Sequence, residues 1–129
     1  MNEKILFVDD DINVLRGYKR TYRRRFDIIT AVSGEEGLQK IRETDEPFAV
    51  IISDLAMPEM NGIDFLSAAG KISPDSVKIM VTGSADLSPA VEAVNRGIIY
   101  RFLTKPCDQK KLIITVEEAL KFRQKNQST

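Results

Sequence analysis

Short apolar runs alternating with stretches of helical periodicity constrain this chain more than any other feature of its sequence. Ile5 to Val8, Ala49 to Ile52 and Ile79 to Val81 are rich in Ile and Val and too short for helices, which suits strands covered on both faces. Asp27 to Val32 and Ile99 to Leu103 are more mixed, as strands at sheet edges tend to be. Between the first two runs, Ile12, Leu15, Tyr18, Tyr22 and Phe26 recur at spacings of three and four, while Arg16, Lys19, Arg20 and Arg23 point elsewhere. Ser33 followed by Glu36 is a capping box for a second helix that carries Leu38 and Ile41 and ends near Thr44. A third helix opens at Asn61 or Gly62 and is expected to bury Ile63, Leu66 and Ala69. Leu87, Ala90, Val91 and Val94 mark a fourth, which Gly97 can terminate, and Asp108 caps a last one with Leu112, Val116 and Leu120 inward. Strict alternation implies right-handed crossovers, hence an α/β fold with a doubly wound five-stranded parallel sheet and helices on both faces.

A length of 129 residues, 43% hydrophobic and 29% charged, fits one domain with one core. That domain is expected to span residues 1–122, with "RQKNQST", Arg123 to Thr129, as frayed helix or the start of a linker. Lys plus Arg and Asp plus Glu both number 19, so global charge argues for neither nucleic acid nor an anionic membrane as partner. The run "KRTYRRRF", Lys19 to Phe26, interleaves cations with aromatics, but Tyr22 and Phe26 fall on the core side of the helix and the cations on the wet side. Direct nucleic-acid binding is therefore not expected, although an acidic partner would suit this run. The absence of histidine removes Ser/His and Cys/His nucleophile pairs and histidine metal sites, and the single cysteine, Cys107, excludes an internal disulfide. With no signal-like start and no long apolar run, the expected compartment is the cytoplasm.

In an open parallel sheet, ligands bind beyond the carboxyl ends of the strands, so the residues closing each strand are the site candidates. The first run ends in Asp9 and Asp10, the third in Asp54, the fourth in Thr82, and the fifth leads to Lys105 before Pro106. A phosphate-cradling turn would be rich in Gly, Ser or Thr, whereas here it reads Asp9-Asp10-Asp11 and would repel bare phosphate. Crowded carboxylates suit a hard divalent cation. Magnesium takes one or two carboxylates and keeps its remaining positions for water and phosphate oxygens. Lys105 adds a fixed positive charge, Thr82 a hydroxyl able to donate to a phosphoryl oxygen, and Asp54 a carboxylate free to act as nucleophile. Asp11 reads as a helix cap and Cys107 as a partly buried thiol.

The strings "ILFVDDD", "IISDLAMPEMNGIDFL", "IMVTGSA" and "RFLTKP", in this order and spacing, resemble the receiver domain of bacterial two-component response regulators over Lys4 to about Lys121. The resemblance implies a flavodoxin-like strand order 2-1-3-4-5. It implies Asp54 as phosphoacceptor, with Asp9, Asp10, Asp54 and the backbone carbonyl of Ala56 binding Mg²⁺, for which Mn²⁺ or Ca²⁺ can substitute. Thr82 matches the switch hydroxyl, Lys105 the phosphoryl-contacting lysine, in cis linkage to Pro106, and Phe102 the switch aromatic. By the same resemblance the partners are a histidine kinase or phosphotransfer protein and a C-terminal output domain in a longer chain. The surface of the fourth helix, fifth strand and fifth helix is where phosphorylation is read and where a dimer would form. The chain departs from the pattern in carrying Phe102 where many receivers have tyrosine, and Cys107 where an aromatic is common. Ala56 and Ser84 occupy the positions that help place hydrolytic water, and neither is an amide or an acid.

Two other readings fit less well. A haloacid-dehalogenase-like phosphohydrolase also uses an aspartyl-phosphate, a threonine and a lysine, but its nucleophile ends the first strand in a DxD pattern; Asp54 ends the third and is followed by Leu55 and Ala56. A pseudo-receiver serving only as a scaffold would not need Asp9, Asp10, Asp54, Thr82 and Lys105 all intact.

Overall fold

The computed structural model describes residues 3–127. Five strands, β1 (Lys4–Val8), β2 (Asp27–Ala31), β3 (Val50–Asp54), β4 (Val77–Thr82) and β5 (Arg101–Thr104), alternate with α1 (Ile12–Tyr22), α2 (Gly34–Glu43), α3 (Gly62–Ile72), α4 (Ser88–Asn95) and α5 (Gln109–Gln127). The sheet is parallel throughout, in the expected order β2-β1-β3-β4-β5. No described helix is long and apolar enough to cross a membrane.

Successive strand side chains turn to opposite faces, so the Ile and Val runs feed two cores at once. Ile5, Phe7, Ile52 and Ile79 meet Leu15 and Tyr22 of α1 and Leu112, Val116 and Ala119 of α5. On the other face Leu6, Val8, Ile51 and Met80 meet α2, α3 and α4. The capping residues act as read: Ser33 Oγ accepts from Glu36 N at 3.1 Å, Glu36 Oε1 reaches back to Val32 N at 3.0 Å, and Asp108 Oδ1 accepts from Lys110 N at 3.0 Å.

Several details differ from the sequence reading. The apolar pattern of the first helix runs to Phe26, yet α1 stops at Tyr22; three arginines make the turn, and Phe26 reaches the core from outside the helix. In α3 Leu66 and Ala69 are fully buried as expected, but Phe65 is fully buried with them and Ile63 is only half-buried, because Phe65 packs with Val8 beneath α2. In α4 the inward residues are Ala90 and Ala93, while Val91 and Val94 face outward. That helix ends at Asn95 and turns away through Gly97, whose φ of 75° is open to glycine at little strain, with Ile98 N bonding back to Ala93 O at 2.9 Å. Helix α5 continues through Arg123 to Gln127; Phe122 stacks on Tyr100 at 4.7 Å and Arg123 Nε donates to Asp75 O at 3.2 Å. The last two residues of the expected tail, 128 and 129, lie outside the described residues.

Candidate functional site

Because every strand runs the same way, the residues that close them gather at one edge of the sheet. Asp54 ends β3, Thr82 ends β4, Asp9 follows β1 directly and Lys105 follows β5. Carboxylate oxygens of Asp9, Asp10 and Asp54 lie within 4.8 Å of one another, with Asp9 and Asp54 buried and Asp10 exposed. Lys105 Nζ lies 3.0 Å from Asp9 Oδ2 and 3.5 Å from Asp54 Oδ1. Four of the residues singled out from sequence thus form a single cluster, held from segments nearly a hundred positions apart.

The cluster is electrostatically uneven. Burial pushes the Asp54 carboxyl above the ordinary carboxylate range; the Lys105 charge pulls it down, the Asp9 charge raises it again, and the net shift is upward. Burial also works against the Lys105 ammonium, but the hydrogen bond and charge of Asp9, followed by the charge of Asp54, outweigh it and hold Lys105 above its usual value. The two shifts are not mirror images: pairing governs Lys105, and burial governs Asp54. Tyr18, stacked on Phe7 at 4.4 Å, feels the same field, its phenol pushed upward first by burial and then by Asp9.

Thr82 is buried, and its Oγ1 accepts from Ser84 N at 3.1 Å, leaving the hydroxyl hydrogen free to be aimed elsewhere. Its carbonyl accepts from Lys105 N at 2.8 Å, so the threonine and the lysine are tied through adjoining strands. The Lys105-Pro106 peptide is cis, as the sequence resemblance implied. Ala56 is exposed, two residues beyond Asp54. Phe102 stands apart from the carboxylates: half-buried on β5 opposite Met80, it packs against the core that includes α4.

Three supporting roles went unread in the sequence. Asp11, seen as a cap, does accept from Asn13 N at 2.9 Å, but its own amide also donates to Asp9 Oδ1 at 2.9 Å and so orients that carboxylate. Ser53 Oγ donates to Asp54 O at 2.8 Å from a fully buried position. Gly62, read as a helix start, sits where an added Cβ would lie 2.2 Å from Asp54 O and 2.9 Å from Leu55 Cα, so only glycine lets α3 begin against the backbone of Asp54. A glycine immediately after the Asn61 cap was the available signal for that close approach. Nothing in the sequence marked Glu59, which takes a φ of 67° in the same loop, a strained conformation for a non-glycine residue.

An all-oxygen donor set of clustered carboxylates fits a hard divalent cation. Comparison with known proteins points the same way. Residues 5–117 match the family model described as response regulator receiver domain. The transcriptional regulatory protein GlrR of Escherichia coli K12 is 35% identical over 118 residues, covering 90% of this chain and 26% of that protein. The hydrogenase transcriptional regulatory protein HoxA of Cupriavidus necator is 30% identical over 116 residues, covering 90% of this chain and 24% of that protein. The chain therefore spans about a quarter of the length of these curated relatives. Among solved structures, one described as adenylate cyclase from Rhodopirellula baltica superposes with a TM-score of 0.95 at 41% identity, covering 99% of this chain and 94% of that one. A CheY-like response regulator receiver domain protein from Methanospirillum hungatei gives 0.89 at 32% identity, covering 98% and 99%. Family model, relatives and shape agree over nearly the whole chain, and the protein belongs to the response regulator receiver domain family.

Proposed function

We propose that this receiver domain is a phosphorylation switch in which Asp54 is the phosphoacceptor. The observation that carries the proposal is the cluster itself: three carboxylates within 4.8 Å of one another and one ammonium bridging two of them. Phosphorylation and signal transduction come with the family. In the proposed step a carboxylate oxygen of Asp54 attacks the phosphorus of a phosphohistidine on a histidine kinase or phosphotransfer protein. The P–N bond breaks as the P–O bond forms, the leaving imidazole recovers the electron pair and a proton, and an acyl phosphate remains on Asp54. Asp9, Asp10 and Asp54, together with the Ala56 carbonyl, would hold Mg²⁺, with Mn²⁺ or Ca²⁺ as substitutes. When bound, the ion would supply positive charge that offsets the negative charge of the carboxylates and the incoming phosphoryl group. Lys105, already poised between Asp9 and Asp54, pairs with a phosphoryl oxygen, and Thr82 donates its free hydroxyl hydrogen to another.

Drawing Thr82 toward the phosphoryl group vacates space beside β5, which Phe102 fills by packing alone, since it lacks a phenol. The surface made by α4, β5 and α5 thereby changes its preference for partners, including a second copy of the domain. The relatives are about four times as long, which supports a receiver unit of roughly residues 1–122 acting on an output segment in a longer regulator. The balanced composition supports a domain that itself touches neither nucleic acid nor membrane.

Incubation with acetyl phosphate and Mg²⁺ followed by intact-mass measurement tests the assignment. One phosphoryl group is expected on the wild type, none on Asp54→Asn and none in excess chelator. Stoichiometric labelling of Asp54→Asn, or labelling undiminished by chelator, would refute it.

A further inference from the structure

The sheet has a second feature, at its lateral edge strand β2, two strands from the one that Asp54 ends. Strand β2 pairs only with β1. Asp27 N donates to Glu3 O at 2.8 Å and Ala31 O accepts from Asp9 N at 3.1 Å, so alternation turns the backbone groups of Ile28, Thr30 and Val32 outward. The upper part of this edge is stoppered: Lys40 Nζ donates to Thr30 O at 2.5 Å, and Glu36 Oε1 accepts from Val32 N at 3.0 Å. Below that, the N–H and C=O of Ile28 and the N–H of Thr30 have no hydrogen-bond partner among the described residues. Ile28 lines a groove of about 560 Å³ bounded by Lys4, Lys19, Arg23, Phe26, Asp27 and Glu46, and Thr30 follows two residues further along the same edge.

The α1 side of that groove is strongly basic, while Asp27 and Glu46 line it from the strand start and the loop before β3. Residues 16–25, "RGYKRTYRRR", contain six cations and no acid, in a chain whose net charge is zero. Arg25 meets Glu117 at 3.7 Å; Arg16, Lys19, Arg20, Arg23 and Arg24 are exposed and form no ion pair among the described residues. Arg16 and Lys19 follow one stripe of α1, and Arg23, its C-cap with helical dihedrals, continues that stripe. At about 1.5 Å per helical residue, Lys19 and Arg23 are separated by roughly 6 Å along the axis, close to the roughly 6.6 Å between alternate side chains of an extended strand.

We propose that the open part of the β2 edge docks an acidic segment of a partner protein. The segment adds as a further strand, its backbone pairing with Ile28 and Thr30 and its acidic side chains, at every second position, meeting Lys19 and Arg23. A nucleic acid could answer the charge but would leave the strand-spaced donors and acceptor unpaired, which favours a polypeptide. The groove begins where β1 and β2 begin, so occupancy is compatible with phosphoryl on Asp54 at the other end of the strands.

The test uses the full chain and a fluorescein-labelled, acetylated Glu-Val-Glu-Val-Glu-Val-Glu peptide. It is compared with two versions N-methylated at every valine or at every glutamate, and with an oligothymidylate of matched charge. Anisotropy is expected to show peptide binding that weakens at least tenfold in Lys19→Glu/Arg23→Glu. At least one N-methylated peptide must bind at least tenfold more weakly, because a strand pairs through one set of alternate amides. Ile28 and Thr30 amides should shift on binding and exchange more slowly, while acetyl phosphate labelling of Asp54 stays as in the free protein. Absence of peptide binding, equal binding by all three peptides, or displacement by oligothymidylate with the same amides shifting would each overturn the proposal.

Discussion

If Asp54 is held ionised against its environment, removing its charge should stabilise the fold, so Asp54→Asn is a sharp test of the site's electrostatics. With carboxylate oxygens no more than 4.8 Å apart, Asp9 and Asp54 repel by at least about 3.5 kcal/mol at an effective dielectric near 20, whereas Lys105 at 3.5 Å attracts Asp54 by about 4.7 kcal/mol. These nearly cancel, and burial of the Asp54 carboxylate then tips the balance against the charge, in line with its raised pKa. Asparagine keeps the shape, removes the repulsion and leaves Lys105 its 3.0 Å contact with Asp9. A gain of about 1–2 kcal/mol at pH 7 is expected, or roughly 3–8 °C in Tm for a chain of this size. The sign with pH follows from linkage. A carboxyl whose folded pKa exceeds its unfolded value binds more protons when folded, so the wild type loses stability as pH rises from the unfolded value of about 3.9 through the folded one. The advantage of Asp54→Asn should therefore be absent at low pH, open across that window and stay constant above it. Urea unfolding followed by circular dichroism in chelator, from pH 3.5 to 8, measures it. An asparagine variant no more stable than the wild type at pH 7, or a difference that does not vary with pH, would refute the reasoning.

Gly62→Ala should destabilise by about 3 kcal/mol in the same urea assay, because the added Cβ would lie 2.2 Å from the Asp54 carbonyl and the obstacle is rigid backbone; a loss under 1 kcal/mol would show that the loop yields. The aspartyl-phosphate should be long-lived for a receiver: Ala56 has no polar side chain, and Ser84 Oγ is occupied with Asp86, donating to its carbonyl at 3.1 Å and accepting from its amide at 3.2 Å. Timing phosphoryl loss in Ala56→Asn/Ser84→Glu checks this, and a double variant that hydrolyses no faster than the parent removes both positions from consideration. Binding of a beryllium fluoride phosphoryl mimic should shift amide resonances from Ala90 to Leu112, and shifts confined to the surroundings of Asp54 would count against the switch at Thr82 and Phe102.

The fold was legible because its strands are buried on both faces: Ile5, Leu6, Ile51, Ile52 and Ile79 are all at most 2% exposed, and such runs announce themselves without any periodicity. The carboxylates and lysine were legible because parallel strands deliver their ends to one edge, so position in sequence implied position in space. What stayed hidden depends on distances the sequence does not encode locally. Phe65 outranks Ile63 in α3 because Val8 and α2 lie over it, a tertiary circumstance that helical spacing alone cannot rank. Gly62 is required by a carbonyl eight residues earlier, and the amide of Asp11 orients Asp9 through a turn whose shape follows from β1 ending where it does. The basic run along α1 was correctly divided into core aromatics and wet cations, but the open edge beside it appears only once β2 is known to pair on one side.

The placement of the proposed switch follows from how unequally the helices are held. Helix α3 buries Phe65 and Leu66 completely, and full burial of such side chains is worth about 1.5–3 kcal/mol each. The eight-residue α4 starts at Leu87 without a side-chain cap, and its only buried residues are Ala90 and Ala93. Two methyl groups contribute about 1.6 kcal/mol at ~0.8 kcal/mol apiece. A single charge-assisted hydrogen bond, such as Thr82 would make to a phosphoryl oxygen, is worth about 1.5–3 kcal/mol. One new bond at the end of β4 is thus comparable with the apolar seating of α4, but not with that of α3. The loop from Gly83 to Leu87 joins the two directly, and Val91 and Val94, turned outward on α4, move with the helix rather than anchoring it. A domain with a larger residue at Ala90 or Ala93, packed as tightly as Phe65, would need more than one such bond to shift the same equilibrium.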